Sequence, residues 1–391
     1  MLQSGIRDGR RGRLLRAGLL LPLFLLLLAA GDPRGAAAFE TEAREALLVD
    51  VTSGTVLFSK NPEKAIPPAS MSKMMTAYMV EAAIEAGRIS LDDEFLVSEK
   101  AWRKGGSKMF VEVGNRVRVE DLLRGVVVQS GNDASIVLAE GLAGSEEAFA
   151  ERMNEMAEEI GLTGSNFANA TGWPDPQHYM TVRDLATLAT RIIEDHPRFY
   201  KLYSELEFTW HGIKQSNRNP LLYRNIGADG LKTGHTEEAG YCLTASAERD
   251  GRRLVLVITG LPSVRARAEE GERLLQWGFR EFKTYELAAA AEPLDQAPVW
   301  LGTEDYVPLV PMDPIAITLN RTSRPGMEVT VSYDAPIPAP IAKGQEIATL
   351  TVTAPDLEPR SFPLYAGADV EKLGSFGRIA AAARYLVLGQ P

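Results

Sequence analysis

The chain has 391 residues, 45% hydrophobic and 24% charged, ordinary globular composition with room for two domains and at least one sizeable core. Residues 1–38 carry six arginines and two aspartates, a net +4 that leaves −14 of the total −10 on the rest of the chain, and such acidity argues against a nucleic-acid partner, whose binding rests on cationic neutralisation of phosphates. One cysteine, Cys242, excludes an intrachain disulfide, and His178, His196, His211 and His235 lack the H-E-x-x-H or similar spacing of a zinc site.

The first 38 residues read as a secretory signal peptide. An arginine-rich start, MLQSGIRDGRRGRLLR, precedes the apolar run AGLLLPLFLLLLAA, and Ala36-Ala37-Ala38 before Phe39 suits an A-x-A cleavage site. The run is broken by Pro22 and falls short of the roughly 20 residues that span a bilayer, so export with cleavage is expected rather than an anchor. Residues 46–60, ALLVDVTSGTVLFSK, predict a hairpin around a Ser-Gly turn. From Ser70, apolar residues Met71, Met74, Met75, Tyr78, Met79, Ala82 and Ala83 recur at three and four, predicting a helix closed by Gly87.

Further helices are predicted from 119 (VEDLLRGVVVQS), from 145 with Ser145 in a capping box and an end at Gly161, and from 181 (TVRDLATLATRIIEDH) with a threonine cap. Residues 241–261 predict two strands turning at Asp250-Gly251, which places Cys242 in the alternating AGYCLTASA as a small buried hydrophobe; the helix RAEEGERLLQWGFREF follows. This order predicts an α+β fold, a helical cluster packed on an antiparallel sheet built from both ends of residues 39–287. The stretch AAAAEPLDQAP then reads as a linker, and the short β-branched runs IAITLN, MEVTVSYD and QEIATLTVTAP predict a small all-β sandwich over residues 288–367. In the tail, 368–391, Leu373, Phe376, Ala380, Ala383 and Val387 share one helical face opposite Glu371 and Arg378, which suits either a membrane interface or docking on the sandwich.

Chemistry is carried by three short elements. Ser70 and Lys73, at i and i+3, fall on one side of a helix start, where free backbone N–H groups and the positive dipole end favour a neutral lysine able to take a hydroxyl proton. Serine is also a preferred N-cap, so S-x-x-K alone leaves a cap and a nucleophile both open. Ser130-Gly131-Asn132 follows an apolar helical segment as a loop, and Lys232-Thr233-Gly234 opens a strand, its glycine admitting a substrate backbone and its lysine adding positive charge. The three stand in order, 60 and then 102 residues apart, as S-x-x-K, S-D-N and K-T-G do in penicillin-binding proteins and class A β-lactamases.

The segments PASMSKMMTAY, QSGNDAS, GIKQSNRNPLL, DGLKTGHTEEAGY and LLQWGFREF together resemble the D-alanyl-D-alanine carboxypeptidases of the penicillin-binding protein 5 type, from about residue 40 to the C-terminus. The resemblance implies Ser70 as acylated nucleophile, Lys73 as its base, and Ser130 with Asn132 as a second active-site element in which the serine hydroxyl relays the proton. It implies Lys232 and Thr233 as binders of a terminal carboxylate, Arg267 as its recogniser, Arg218 as a second candidate, and Gly234 and His235 as the rest of a K-T-G-H edge. His235 is not expected to be catalytic; its backbone N–H, with that of Ser70, is the expected oxyanion hole. Arg265 in VRARAEE allows the arginine register to slip by two.

The implied substrate is a peptidoglycan stem peptide ending in D-Ala-D-Ala, with β-lactams acylating the same serine and no metal or organic cofactor. The implied location is the periplasm, with the tail on the outer face of the cytoplasmic membrane. Three rivals remain. A β-lactamase of class A needs a deacylating glutamate that LTGSNFANATGWPD lacks. A DD-endopeptidase would cut cross-links instead, and a silent cell-wall-binding protein would have no need of both lysines.

Overall fold

The structure, a computed structural model, describes residues 39–355 and 357–388. The expected signal peptide lies outside them, as do the side chains of Ala383 and Val387 in the tail. Strands β1 (Glu45–Asp50) and β2 (Thr55–Lys60) form the expected hairpin. There follow α1 (Lys73–Glu85), β3 (Glu94–Leu96), α2 (Glu99–Arg103), β4 (Arg116–Arg118), α3 (Val119–Val127), α4 (Asn132–Ala143), α5 (Glu146–Glu159), α6 (Val182–Asp195) and α7 (Pro197–Tyr200). Next come β5 (Glu207–Trp210), β6 (Ile213–Ser216), β7 (Ala228–Thr236), β8 (Gly240–Arg249), β9 (Arg252–Leu261) and α8 (Val264–Glu281). The last part contains β10 (Phe282–Ala288), β11 (Asp295–Trp300), β12 (Tyr306–Val310), β13 (Ile315–Asn320), β14 (Glu328–Ser332), β15 (Ile337–Pro338), β16 (Glu346–Ala354), β17 (Leu357–Ala366) and α9 (Ser375–Leu388).

Five strands form the main sheet in the order β2-β1-β9-β8-β7. β1 pairs antiparallel with β9, Ala46 opposite Ile258 and Leu48 opposite Leu256, so the β1–β2 hairpin completes a sheet whose other strands, β7 to β9, come from residues 228–261, as the α+β reading expects. Asp250 and Gly251 turn between β8 and β9 with φ of 52° and 75°, the left-handed pair that a two-residue hairpin of matching twist requires. Helix α8 packs against β8 and β9, while α6 packs against β1 and β9. Both faces of the central strands are therefore covered, and Leu243, Ala245, Val255, Leu256, Val257 and Ile258 are fully buried.

Helix α1 sits at the centre of the helical cluster, touching α3, α4, α5 and α6. Met74, Met75, Ala77, Val80 and Ala83 on it are buried, and so are Lys73, Thr76 and Glu81. Each large apolar side chain taken from water contributes about 1.5–3 kcal/mol, so this packing fixes the first turn of α1 firmly. Helix α4 is absent from the sequence reading, which treats Ser130-Gly131-Asn132 as a loop. NDASIVLAEGLA is packed by α1, α2, α3 and α5, and a helix without a polar face shows no period.

In the last part a six-stranded sheet, β14-β16-β17-β12-β11-β15, and a two-stranded one, β10-β13, share one core. Ile315, Ile317 and Leu319 of β13 meet Leu350 and Val352 of β16 and Leu364 of β17 there, the expected sandwich with unequal layers. The β1–β2 turn is tied to it by polar contacts. Buried Asp50 accepts from Arg252 Nε (2.6 Å) and Thr318 Oγ1 (3.0 Å), and Arg360 Nη1 donates to Ser53 O (2.6 Å).

Candidate active site

Residues Ala69–Ser72 form one 3-10 turn that runs directly into α1. Ser70 therefore lies inside a turn rather than at the N-cap; the cap position belongs to Ser72, and neither serine makes a side-chain cap hydrogen bond. The cap reading of Ser70 falls, because the tighter turn already supplies the helix start with its own backbone bonds. Its hydroxyl caps no helix and instead meets Lys73 Nζ, which lies at hydrogen-bond distance, 2.9 Å from Ser70 Oγ.

Lys73, only 1% exposed, also donates to the carbonyl of Thr171. Burial, helped by the charges of Arg218 and Lys104, lowers its amine to a pKa of about 7, against the opposing pull of Asp133 and Glu146. The Thr171 carbonyl comes from the loop between α5 and α6, and Gly172 makes that approach possible. Its φ is +70°, and a Cβ there would collide with the carbonyl of Ala69. Sequence reading missed Thr171 because a backbone acceptor leaves no side-chain signature.

Ser130 has φ of 61°, unusual for a residue with a Cβ, and its buried Oγ has no partner. Asn132 is the first residue of α4, not part of a loop; its Nδ2 donates to Gly105 O (2.8 Å) and its N–H to Ser107 O (2.8 Å). Asp133, another residue that sequence reading missed, accepts from the amides of Met109 and Phe110 at 2.8 Å each and so clamps the Ser107 loop to α4. An acidic residue one step after S-G-N, at a helix start, was the available signal.

Lys232, Thr233 and Gly234 lie in the middle of β7 rather than at its start. The segment from Ala228 pairs with β8 although its Ala-Asp-Gly composition reads as a turn. Lys232 is buried, and its amine is held well below the usual lysine range by burial and by Lys73, Arg218 and Arg267. Gly234 packs against Pro68, Ala69 and Met71, which brings β7 beside the Ser70 turn. His235 is exposed and tilts onto Tyr241, 4.0 Å between ring centroids.

The arginine register is decided by helix α8. It starts at Val264 with Ser263 as cap, so Arg265 turns to water, 86% exposed and paired with Glu269, whereas Arg267 is 6% exposed with Nε unpartnered. Arg218 donates to Ser107 Oγ. A cavity of about 450 Å³ opens over these groups, bordered by Ser70, Ser130, Arg218, Thr233, His235 and Arg267, and no carboxylate lines it. A hydroxyl within hydrogen-bond reach of a weakly basic amine, below a cavity lined by two arginines, is equipped for acyl transfer from a substrate that ends in a carboxylate.

Fold and site together define a serine acyl-transfer enzyme of the α+β kind. The chain belongs to the D-alanyl-D-alanine carboxypeptidase family of peptidases, S11, whose family model matches residues 32–263, and residues 282–372 match the C-terminal domain of penicillin-binding protein 5. It is 39% identical over 345 residues to D-alanyl-D-alanine carboxypeptidase DacA of Haemophilus influenzae, covering 86% of this chain and 87% of the relative. To DacC of Escherichia coli K12 it is 38% identical over 370 residues, 91% and 92% of the two chains. The crystal structure of penicillin-binding protein 5 from Haemophilus influenzae superposes with a TM-score of 0.82 at 38% identity, covering 86% of this chain and all of the other.

Proposed function

We infer that this protein is a serine-type D-alanyl-D-alanine carboxypeptidase that removes the last D-alanine from peptidoglycan stem pentapeptides. The observation that carries the reading is the 2.9 Å approach of the buried Lys73 amine to Ser70 Oγ. Neutral Lys73 takes the hydroxyl proton as Ser70 Oγ attacks the carbonyl between the two terminal D-alanines. The developing oxyanion is held by the backbone N–H groups of Ser70 and His235. Ser130 passes the proton to the leaving amine, and D-alanine departs. Water then attacks the acyl-enzyme, Lys73 again accepting a proton, and the shortened peptide is released.

Recognition falls to the cationic side of the cavity. Arg267 and Thr233 receive the terminal carboxylate, with Lys232 and Arg218 behind, and Asn132 orients the acyl side. Gly234 leaves room for the peptide backbone. β-Lactams acylate Ser70 in the same way. The assignment to a carboxypeptidase rather than an endopeptidase is tested by incubating the enzyme with a stem pentapeptide and with a cross-linked dimer. Free D-alanine from the pentapeptide is expected, and cleavage of the dimer alone overturns the assignment.

The functional organisation we propose is a signal peptide over 1–38, a catalytic domain over 39–287, a β-sandwich over 288–367 and a tail over 368–391, in an exported, periplasmic protein. The tail is read as lying on the inner-membrane surface. Phe376 and Ile379 of α9 are 92% and 70% exposed, more than a docked apolar face allows, and no helix among the described residues is long and apolar enough to cross a membrane. Flotation with anionic lipid vesicles is expected to carry the mature chain upward and to leave behind a chain ending at Gly374. Equal behaviour of the two excludes the interfacial reading.

A further inference from the structure

Another cavity, of about 590 Å³, lies where the β8–β9 turn and the end of α8 meet the start of β10 and the residue that follows β13. Its volume falls within the roughly 300–1,000 Å³ of small-molecule sites. It is remote from Ser70. Tyr241 borders the catalytic cavity and Arg249 borders this one, eight residues further along β8, or ~26 Å at ~3.3 Å per residue. Five cations line it, Arg249, Arg252, Arg280, Lys283 and Arg321, against two carboxylates, Asp250 and Glu286. A local net charge of +3 therefore sits in a chain that carries −14 beyond residue 38.

Most of this charge is uncommitted. Arg252 pairs with Asp50 and Arg280 with Glu281, whereas Arg249, Lys283 and Arg321 have no ion pair among the described residues. Two of these three are nevertheless held in place. Arg249 Nε donates to Ile226 O (2.8 Å) and Arg321 Nε to Arg280 O (2.9 Å), which anchors each guanidinium by one edge and leaves its Nη groups without a protein acceptor among the described residues. Phe279 supports the catalytic-sheet side, its ring centroid 4.6 Å from Arg249 Cζ and 5.7 Å from Arg252 Cζ. Arg252 Nη1 is taken by the carbonyls of Gly278 and Phe282, and its Nη2 is a buried donor without a partner.

We propose that this cavity binds an anion carrying one or two phosphate groups, and that the bound anion clasps the β8–β9 turn to the sandwich. The anchored forks of Arg249 and Arg321 present paired donors of the kind that match phosphate oxygens, and Lys283 adds a point charge. A phosphate monoester brings about −1.5 to −2 at pH 7, so one or two such groups offset the local +3, which a single carboxylate does not. Arg249 and Arg252 stand at the end of the catalytic sheet, Lys283 on β10 and Arg321 just past β13, so one ligand touches both sides of the junction. Like charges gathered around one cavity repel, and the anion removes that repulsion as it binds.

The test titrates the mature chain with inorganic pyrophosphate by calorimetry at fixed ionic strength. Saturable binding is expected, with a Kd that rises about ten-fold or more in the K283Q/R321Q double variant, since a hydrogen bond to a charged group is worth about one such factor. Melting temperature should rise with pyrophosphate and not with sodium chloride of equal ionic strength, because a ligand that binds only the folded state stabilises it. Both substituted side chains are exposed, so without pyrophosphate the variant is expected to melt as the unaltered protein does. Phosphatidic acid vesicles then distinguish the source of the phosphate. Vesicle affinity that also falls in the double variant assigns the site a lipid headgroup, and pyrophosphate binding that falls while vesicle affinity is unchanged assigns it a soluble phosphate compound. No saturable binding of pyrophosphate by the unaltered protein, or equal binding by the double variant, overturns the site.

Discussion

Replacing Lys73 by arginine is expected to slow acylation by a penicillin by about 10²–10⁴-fold, the usual contribution of a positioned general base. Arginine stays protonated at every working pH and cannot take the Ser70 proton, although it keeps a cation near Thr171. The unaltered enzyme should show the matching pH dependence. The lysine acts in its neutral form, and burial lowers its pKa to about 7, so the acylation rate falls as pH drops through 7 and levels off above it. Measuring the second-order acylation rate between about pH 5 and pH 9 checks both. A flat profile in the unaltered enzyme, or a Lys73→Arg rate within ten-fold of it, would remove Lys73 from the role of base.

Ser70→Ala should abolish the covalent reaction, with peptide hydrolysis falling on the order of 10⁴–10⁶-fold, as when the nucleophile of a unit that acts together is deleted. A fluorescent penicillin should label the unaltered protein and leave the variant dark. The loss should be chemical rather than structural. Ser70 is only partly buried, its side chain caps no helix, and Lys73 keeps the Thr171 carbonyl as partner. Melting temperature is therefore expected to shift little, since substitutions away from buried packing typically stay within about 0.5 kcal/mol. A penicillin adduct on the variant, seen by intact mass, would show that another residue is acylated.

Both predictions concern residues that could be picked out by eye, and the reason is local. Ser70 and Lys73 are separated by one helical turn, so their proximity follows from spacing once the start of a helix is recognised. The hairpins at 46–60 and 241–261 and the helices at 119, 145 and 181 were equally legible, because each has a period and an end marked by Ser, Thr or Gly. Helix α4 was not legible, since burial on all sides erases the alternation on which such reading depends. The same holds for the first residues of β7, whose pairing with β8 overrides their turn-like composition.

The sequence by itself determined the class of fold, the three motifs in their order and the family that they resemble, because short-range spacing and turn chemistry are written in neighbouring residues. Three matters waited for the tertiary structure. Arg267 rather than Arg265 borders the catalytic cavity, since only the true start of α8 at Val264 says which arginine faces β8 and which faces water. Lys73 acquires a pKa of about 7 from its burial and from Arg218 and Lys104, neighbours that lie on other elements, 145 and 31 residues away in the chain. Ser70 turned out to lie within a 3-10 turn, its hydroxyl unoccupied by any cap. Each of these is a property of who becomes whose neighbour after the chain has closed its sheet with β1, and desolvation and charge depend on neighbours in space rather than in sequence.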